Sequence, residues 1–197
     1  CFVEKMEETE NGYCRVKLAN GISGFVPEVA LRKRLDSDRF LWGKSEERFF
    51  VEQGIPEGWS EEKFRRKVVE CAKGYLGCQY RWGGKAADGI DCSGVVFMVY
   101  LMNGVLIWRD ADIREGYPMK AIWREGEEMC LVEERAKAGD LLFWRGHVGM
   151  YLGDGRYLHC TGHERVFGCR VNSLRRGDED FRKDLAEALK VVGSVFS

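Results

Sequence analysis

An α+β fold follows from three features of the sequence. Apolar residues recur at helical spacing between residues 61 and 102, short period-2 segments with glycine turns fill residues 141–196, and the helices precede the strands. Of the 197 residues, 45% are hydrophobic and 12% aromatic, which suffices for a sizeable core. The 31 basic and 32 acidic residues leave a formal net charge of −1, which argues against a general nucleic-acid binder. The longest apolar stretch, Val95 to Met102, is too short to cross a bilayer, so no transmembrane segment is expected. The first residue is Cys1 rather than Met, which reads as a processed or trimmed product.

The N-terminal segment reads as a β-meander. Phe2 to Met6 is a first strand, Asn11-Gly12 a turn that accepts positive φ, and Cys14, Val16 and Leu18 alternate with Arg15 and Lys17. Asn20-Gly21 is a second hairpin turn, followed by Ile22 to Val26 and stopped by Pro27. Residues 36–59, with Gly54, Pro56 and Gly58 close together, read as a connector. Ser60 then caps a helix whose face is Phe64, Val68, Ala72, Tyr75 and Leu76, ended by Gly77. A glycine-rich turn (Gly83, Gly84, Gly89) precedes a second helix from Cys92 to about Met102, apolar enough to be buried on most sides. Strands are expected at Leu141–Trp144, His147–Leu152, Tyr157–Thr161 and Cys169–Val171. A last helix spans Asp180–Leu189, and a strand Val191–Phe196 follows. The charged segment from Gly116 to Lys137 reads as a lid or a surface insertion.

Chemistry concentrates at Cys92. A thiol at the start of a helix meets unpaired amides and the positive end of the macrodipole, which favour the thiolate. His147 opens one strand and His159 closes the next, so antiparallel neighbours bring both to one rim of the sheet. A cysteine nucleophile needs a base for its proton and a third group to orient that base, and these residues can fill those roles. Eight cysteines less one working thiol leave an odd remainder, so mostly free, buried thiols are expected, with disulfides left open.

Five motifs in order, Tyr80-Arg81-Trp82-Gly83-Gly84, Asp91-Cys92-Ser93-Gly94, Gly139-Asp140-Leu141-Leu142-Phe143, His147 through Gly153, and Tyr157-Leu158-His159, resemble the NlpC-type cell-wall peptidase family over residues 60–197. Gly24-Phe25-Val26-Pro27 is similar to the end of a bacterial SH3-like domain, here a partial barrel over residues 1–35. The resemblance implies a papain-like cysteine peptidase, without cofactor or metal, that cleaves the γ-D-glutamyl to diamino-acid bond of peptidoglycan stem peptides. It implies Cys92 as nucleophile, His147 as general base and then acid, His159 as its orienting partner, and Tyr80 beside the oxyanion. Trp82, Asp91 and Ser93 fall on the substrate side. Arg109-Asp110-Ala111 resembles the subgroup whose substrates carry a free N-terminal L-alanine, with Asp110 pairing the ammonium. A monomer acting on L-Ala-γ-D-Glu-diamino-acid peptides is expected. Family habit points to the cell envelope, and the cysteine usage to a reducing compartment.

Three rival readings stand beside this one, two of a different class and the third still an enzyme. His159-Cys160-x-x-His163 with Cys169 offers ligands for a structural zinc, although His159 and Cys160 face opposite sides of a strand. A wall-binding protein could keep the fold without activity, and an autolysin would act on intact wall rather than released peptides.

Overall fold

The computed structural model describes residues 3–17, 23–33, 58–163 and 166–196, and the chain divides into two compact units, Cys1–Glu52 and Gln53–Ser197. In the first unit, β1 (Glu4–Glu10), β2 (Tyr13–Lys17) and β3 (Ser23–Pro27) form an antiparallel sheet in that order. Asn11 and Gly12 join β1 to β2 with φ of 50° and 78°, the paired positive values that suit the twist of a tight hairpin. Cys14 and Val16 are buried on one face of β2, as their alternation predicts. A 3-10 turn, Glu28–Ala30, follows. The expected turn at Asn20-Gly21 and nearly all of the connector at 36–59 lie outside the described residues.

The second unit opens with α1 (Glu61–Lys73), capped by Ser60, whose hydroxyl accepts the Lys63 N–H at 3.2 Å. Phe64, Val68 and Ala72 form its buried stripe. The helix ends at Lys73, short of the expected Leu76. Tyr75 and Leu76 make tighter bonds to residues three back, and the Gly77 N–H leaves the helix for the Cys169 carbonyl at 3.0 Å. A two-stranded ribbon of β4 (Lys85–Ala86) and β5 (Gly89–Ile90) leads into α2 (Cys92–Met102), all of whose residues except Met98 and Met102 are buried.

Beyond α2 come β6 (Lys120–Arg124), α3 (Cys130–Arg135), β7 (Leu141–Trp144), β8 (His147–Gly153), β9 (Arg156–Thr161), β10 (Gly168–Ser173), α4 (Lys183–Glu187) and β11 (Val191–Ser194). The strands pair antiparallel in the order β10-β9-β8-β7-β11-β6. Side chains alternate between two faces. Leu141, Phe143, Val148, Met150, Leu158 and Cys160 share one face through their register, and Leu141 and Phe143 meet Val96 of α2 there. The other face carries Leu142, Trp144, Tyr151 and Tyr157, which cluster with Trp123, Val132 and Leu189.

Two expectations are corrected here. Residues 116–137 are neither lid nor surface insertion: β6 forms the sheet edge on β11, and α3 contributes Val132, 1% exposed, to the core. The last helix covers only Lys183–Glu187, because Phe181 bridges to Ser173 and the Arg182 N–H bonds the Ser173 carbonyl at 3.1 Å.

One buried ion pair ties α1 to the sheet. Arg65 donates to Asp140 Oδ1 at 2.9 Å and to the Ala138 carbonyl at 3.0 Å, while Asp140 Oδ2 accepts the Lys137 N–H at 2.8 Å. Burial pushes the Asp140 carboxyl up from its ordinary value, against the pull of Arg65 and the Lys137 amide.

Candidate active site

The thiol of Cys92 is placed by the residues around the start of α2. Asp91 caps the helix, taking the Gly94 N–H on Oδ1 at 2.6 Å and the Gly83 N–H on Oδ2 at 2.7 Å. Arg109 reaches both Asp91 oxygens, at 3.1 and 3.2 Å, and donates to Ser93 Oγ at 2.5 Å and to the Gly84 carbonyl at 3.3 Å. A Cβ on Gly94 would run into the Gly84 carbonyl oxygen, so glycine is what lets the helix start dock on this turn. Burial pushes the Cys92 thiol up, opposed by hydrogen bonds from the Val148 and Ser93 backbone N–H groups and by Arg109. Val148, the residue after His147 in β8, thus lies against the sulfur.

His147 and His159 sit on adjacent strands, one diagonal step apart. The residue directly opposite His159 is Gly149, where a Cβ would lie only 3.2 Å from that of His159. With that position bare, His147 Nε2 comes within 2.7 Å of His159 Nδ1. His159 Nε2 lies 3.0 Å from Asn172 Oδ1, and Asn172 Nδ2 donates to the Asp180 carbonyl at 2.8 Å.

These bonds dictate the tautomers. A carbonyl can only accept, so the Asn172 amide nitrogen faces Asp180 and its oxygen faces His159. His159 therefore carries its proton on Nε2 and accepts on Nδ1. His147 must then donate from Nε2, which leaves its Nδ1 lone pair free. Burial holds both imidazoles neutral: His147 is lowered to about 3, with the charges of His159 and Arg182 adding to the effect, and His159 to about 4, against the Asn172 hydrogen bond, which favours its charged form.

The other expected residues are placed as follows. Tyr80 bridges to Ile90 and packs edge-on against Phe167 at 5.7 Å; burial, followed by the nearby Cys92, pushes its phenol up. Trp82 is 87% exposed. Ser93 and Asp91 are buried, with the Asp91 carboxylate already filled by the protein's own donors. Asp110 is exposed and lines a small cavity with Val96, Ile107 and Asp112. Trp108 is gripped by Tyr117 at 5.3 Å and by Arg114, which lies 4.7 Å over its ring. The zinc set does not assemble: both His159 nitrogens are taken by His147 and Asn172, and Cys160 donates to the Ile90 carbonyl at 3.2 Å on the opposite face. Among the described residues no group of three metal-ligating side chains converges. A cavity of about 490 Å³ lined by Trp123, Met129, Glu133 and Arg175 contains none of these site residues.

Sequence reasoning missed Asn172 and the inward role of Arg109. Asn172 is polar and buried at 5% in a strand, a signal visible only once burial is known. Arg109 was legible as part of Arg109-Asp110-Ala111, but not as the partner of a cap eighteen positions away.

A thiol at the start of a buried helix and an oriented pair of imidazoles on adjacent strands of an antiparallel sheet define the class: a papain-like α+β fold. The NlpC/P60 family model matches residues 77–177, and the chain belongs to this family. It is 45% identical over 139 residues to "Dipeptidyl-peptidase 6" of Lysinibacillus sphaericus, covering 70% of this chain and 47% of that protein. It is 36% identical over 119 residues to "Gamma-D-glutamyl-L-lysine dipeptidyl-peptidase" of Bacillus subtilis (strain 168), covering 56% and 37%. The chain thus spans less than half the length of these two relatives. The fold matches an NlpC/P60 family protein from Bacillus cereus ATCC 10987 with a TM-score of 0.52 and 21% identity, over 96% of this chain and 52% of that one.

Proposed function

We propose that this chain is a cysteine peptidase that hydrolyses the γ-D-glutamyl to diamino-acid bond of peptidoglycan stem peptides bearing a free N-terminal L-alanine. The observation that carries the reading is the bonded series His147–His159–Asn172, together with a buried thiol at the start of α2 that Val148, the neighbour of His147, touches. The activity for which the Bacillus subtilis relative is named, on a γ-D-glutamyl-L-lysine bond, supports the bond class.

In this reading Cys92 gives its proton to His147 Nδ1 and its sulfur attacks the scissile carbonyl. The Cys92 backbone N–H and the Tyr80 hydroxyl stabilise the oxyanion. His147 then protonates the leaving amine, and a water deprotonated by the same nitrogen releases the acyl group. Asp91 acts through Arg109 and the cap to hold the nucleophile's helix, while Ser93 and the exposed Trp82 border the substrate. Asp110 takes the substrate ammonium, which requires a carboxylate partner once desolvated. Arg109 turning inward and Asp110 outward supports this division of labour. The three-stranded N-terminal sheet is part of an SH3-like module, and the enzyme works as a monomer.

The test is mass-spectrometric product analysis with L-Ala-γ-D-Glu-meso-diaminopimelate and its N-acetylated form. Release of diaminopimelate from the free-amine peptide, lost in Cys92→Ala and selectively weakened in Asp110→Asn, is the expected result. Equal cleavage of both peptides removes the ammonium role of Asp110; cleavage of neither, with intact sacculi degraded, turns the reading to a wall autolysin.

A further inference from the structure

The face of the sheet that meets α2 carries a second sulfur site, remote in role from Cys92. Cys160 of β9 and Cys169 of β10 are direct cross-strand partners. Theirs is a non-hydrogen-bonded pair. The Cys169 N–H turns away to the Cys78 carbonyl at 2.9 Å, and its carbonyl accepts the Gly77 N–H at 3.0 Å. In such pairs the Cα atoms lie about 4.5 Å apart and the side chains lean together. That falls within the roughly 4.4–6.8 Å a disulfide requires. Cys160 is fully buried and Cys169 is 5% exposed. The Cys160 thiol donates to the Ile90 carbonyl at 3.2 Å, and its closeness, followed by burial, pushes the Cys169 thiol up from its ordinary value. Their strand parity is opposite to that of His159 and Asn172, so no step of the peptidase chemistry uses them.

We propose that Cys160 and Cys169 form an oxidative modification site, a dithiol that a disulfide oxidant of the glutathione class closes into a cross-strand bond. Cys169, the less buried of the two, attacks one sulfur of oxidised glutathione as its thiolate, and one glutathione thiolate leaves and takes up a proton. The Cys160 thiol then attacks the Cys169 sulfur of the mixed disulfide and expels the second glutathione, which carries off the remaining proton. The pair loses two electrons and two protons, and the oxidant gains them. The bond fastens together the two strands whose opposite face holds His159 and Asn172. The proposal stands independently of the substrate reading above.

The experiment treats the whole folded chain with oxidised glutathione, alkylates the remaining thiols, and maps unreduced peptides by mass spectrometry. A peptide linking Cys160 to Cys169, cleared by dithiothreitol and formed faster as pH rises, is the expected outcome, with circular dichroism unchanged. The pH acceleration follows from the raised Cys169 thiol. In Cys160→Ala the linked peptide disappears and Cys169 stops at the glutathione adduct. A Cys78–Cys169 link in its place overturns the proposal. So does full alkylation of both residues after oxidation, or a Cys160–Cys169 link that forms only in urea.

Discussion

Asn172 shows how one amide can decide the chemistry of a residue it never touches. Its oxygen is turned to His159 because its nitrogen is held by the Asp180 carbonyl, and the proton positions of two imidazoles follow. Asn172→Ala frees His159 to adopt the other tautomer and should lower kcat/KM by about a hundredfold, the scale of a general base lost. Asn172→Asp still accepts from His159 Nε2, so it should retain most activity; equal losses in both variants would reduce Asn172 to packing. The same burial sets the pH profile. With His147 lowered to about 3, its free base survives far below the ordinary imidazole value. The acid limb of kcat/KM should therefore lie well below 6.5, and a limb at or above that value would refute the buried, neutral base.

At the scale of elements, α1 is held to the sheet by charge as well as by its apolar stripe. Asp140 accepts from Arg65, whose guanidinium also lies 4.0 Å over the ring of Phe196. Asp140→Ala leaves Arg65 with only the exposed Glu61 carboxylate, at 2.8 Å, and should cost up to about 3–5 kcal/mol in urea unfolding. Replacing both partners together, Arg65→Met with Asp140→Leu, should cost markedly less, because no charge is then stranded. The connection between α1 and α2 works by close approach instead. Gly84 and Gly94 let backbone meet backbone, and Arg109 then stitches the turn to the Asp91 cap.

For the whole molecule, burying two neutral histidines makes folding sensitive to acid. Their folded values, about 3 and about 4, lie below the ordinary 6.5. Between those limits the unfolded chain binds more protons than the folded one. The stability these groups contribute is complete above 6.5 and lost as pH falls toward 3. Thermal unfolding midpoints should begin to drop below about pH 6.5, and replacing both histidines with glutamine should flatten that part of the curve. The six-stranded sheet carries this sensitivity into its centre, since β8 and β9 lie inside it rather than at an edge.

Much of this architecture was local enough to read directly. Ser60 before Glu61-Glu62, the unbroken apolar run after Cys92, and the alternation of β7 to β9 depend on neighbours in the chain, so α2 and these strands appear close to where they were expected. The pairing of His147 with His159 was legible for the same reason, because a tight turn at Asp154-Gly155 joins their strands. Residues 116–137 were not legible. Trp123 and Val132 are single buried positions among charged ones, and β6 exists only because β11, some seventy residues later, offers it an edge. The end of α1 depended likewise on Cys169 competing for the Gly77 amide. Periodicity and caps report what a segment prefers alone. Asn172 facing a histidine thirteen residues away, Arg109 on a distant cap, and Cys160 opposite Cys169 are matters of register and burial, which arise only when remote strands share hydrogen bonds.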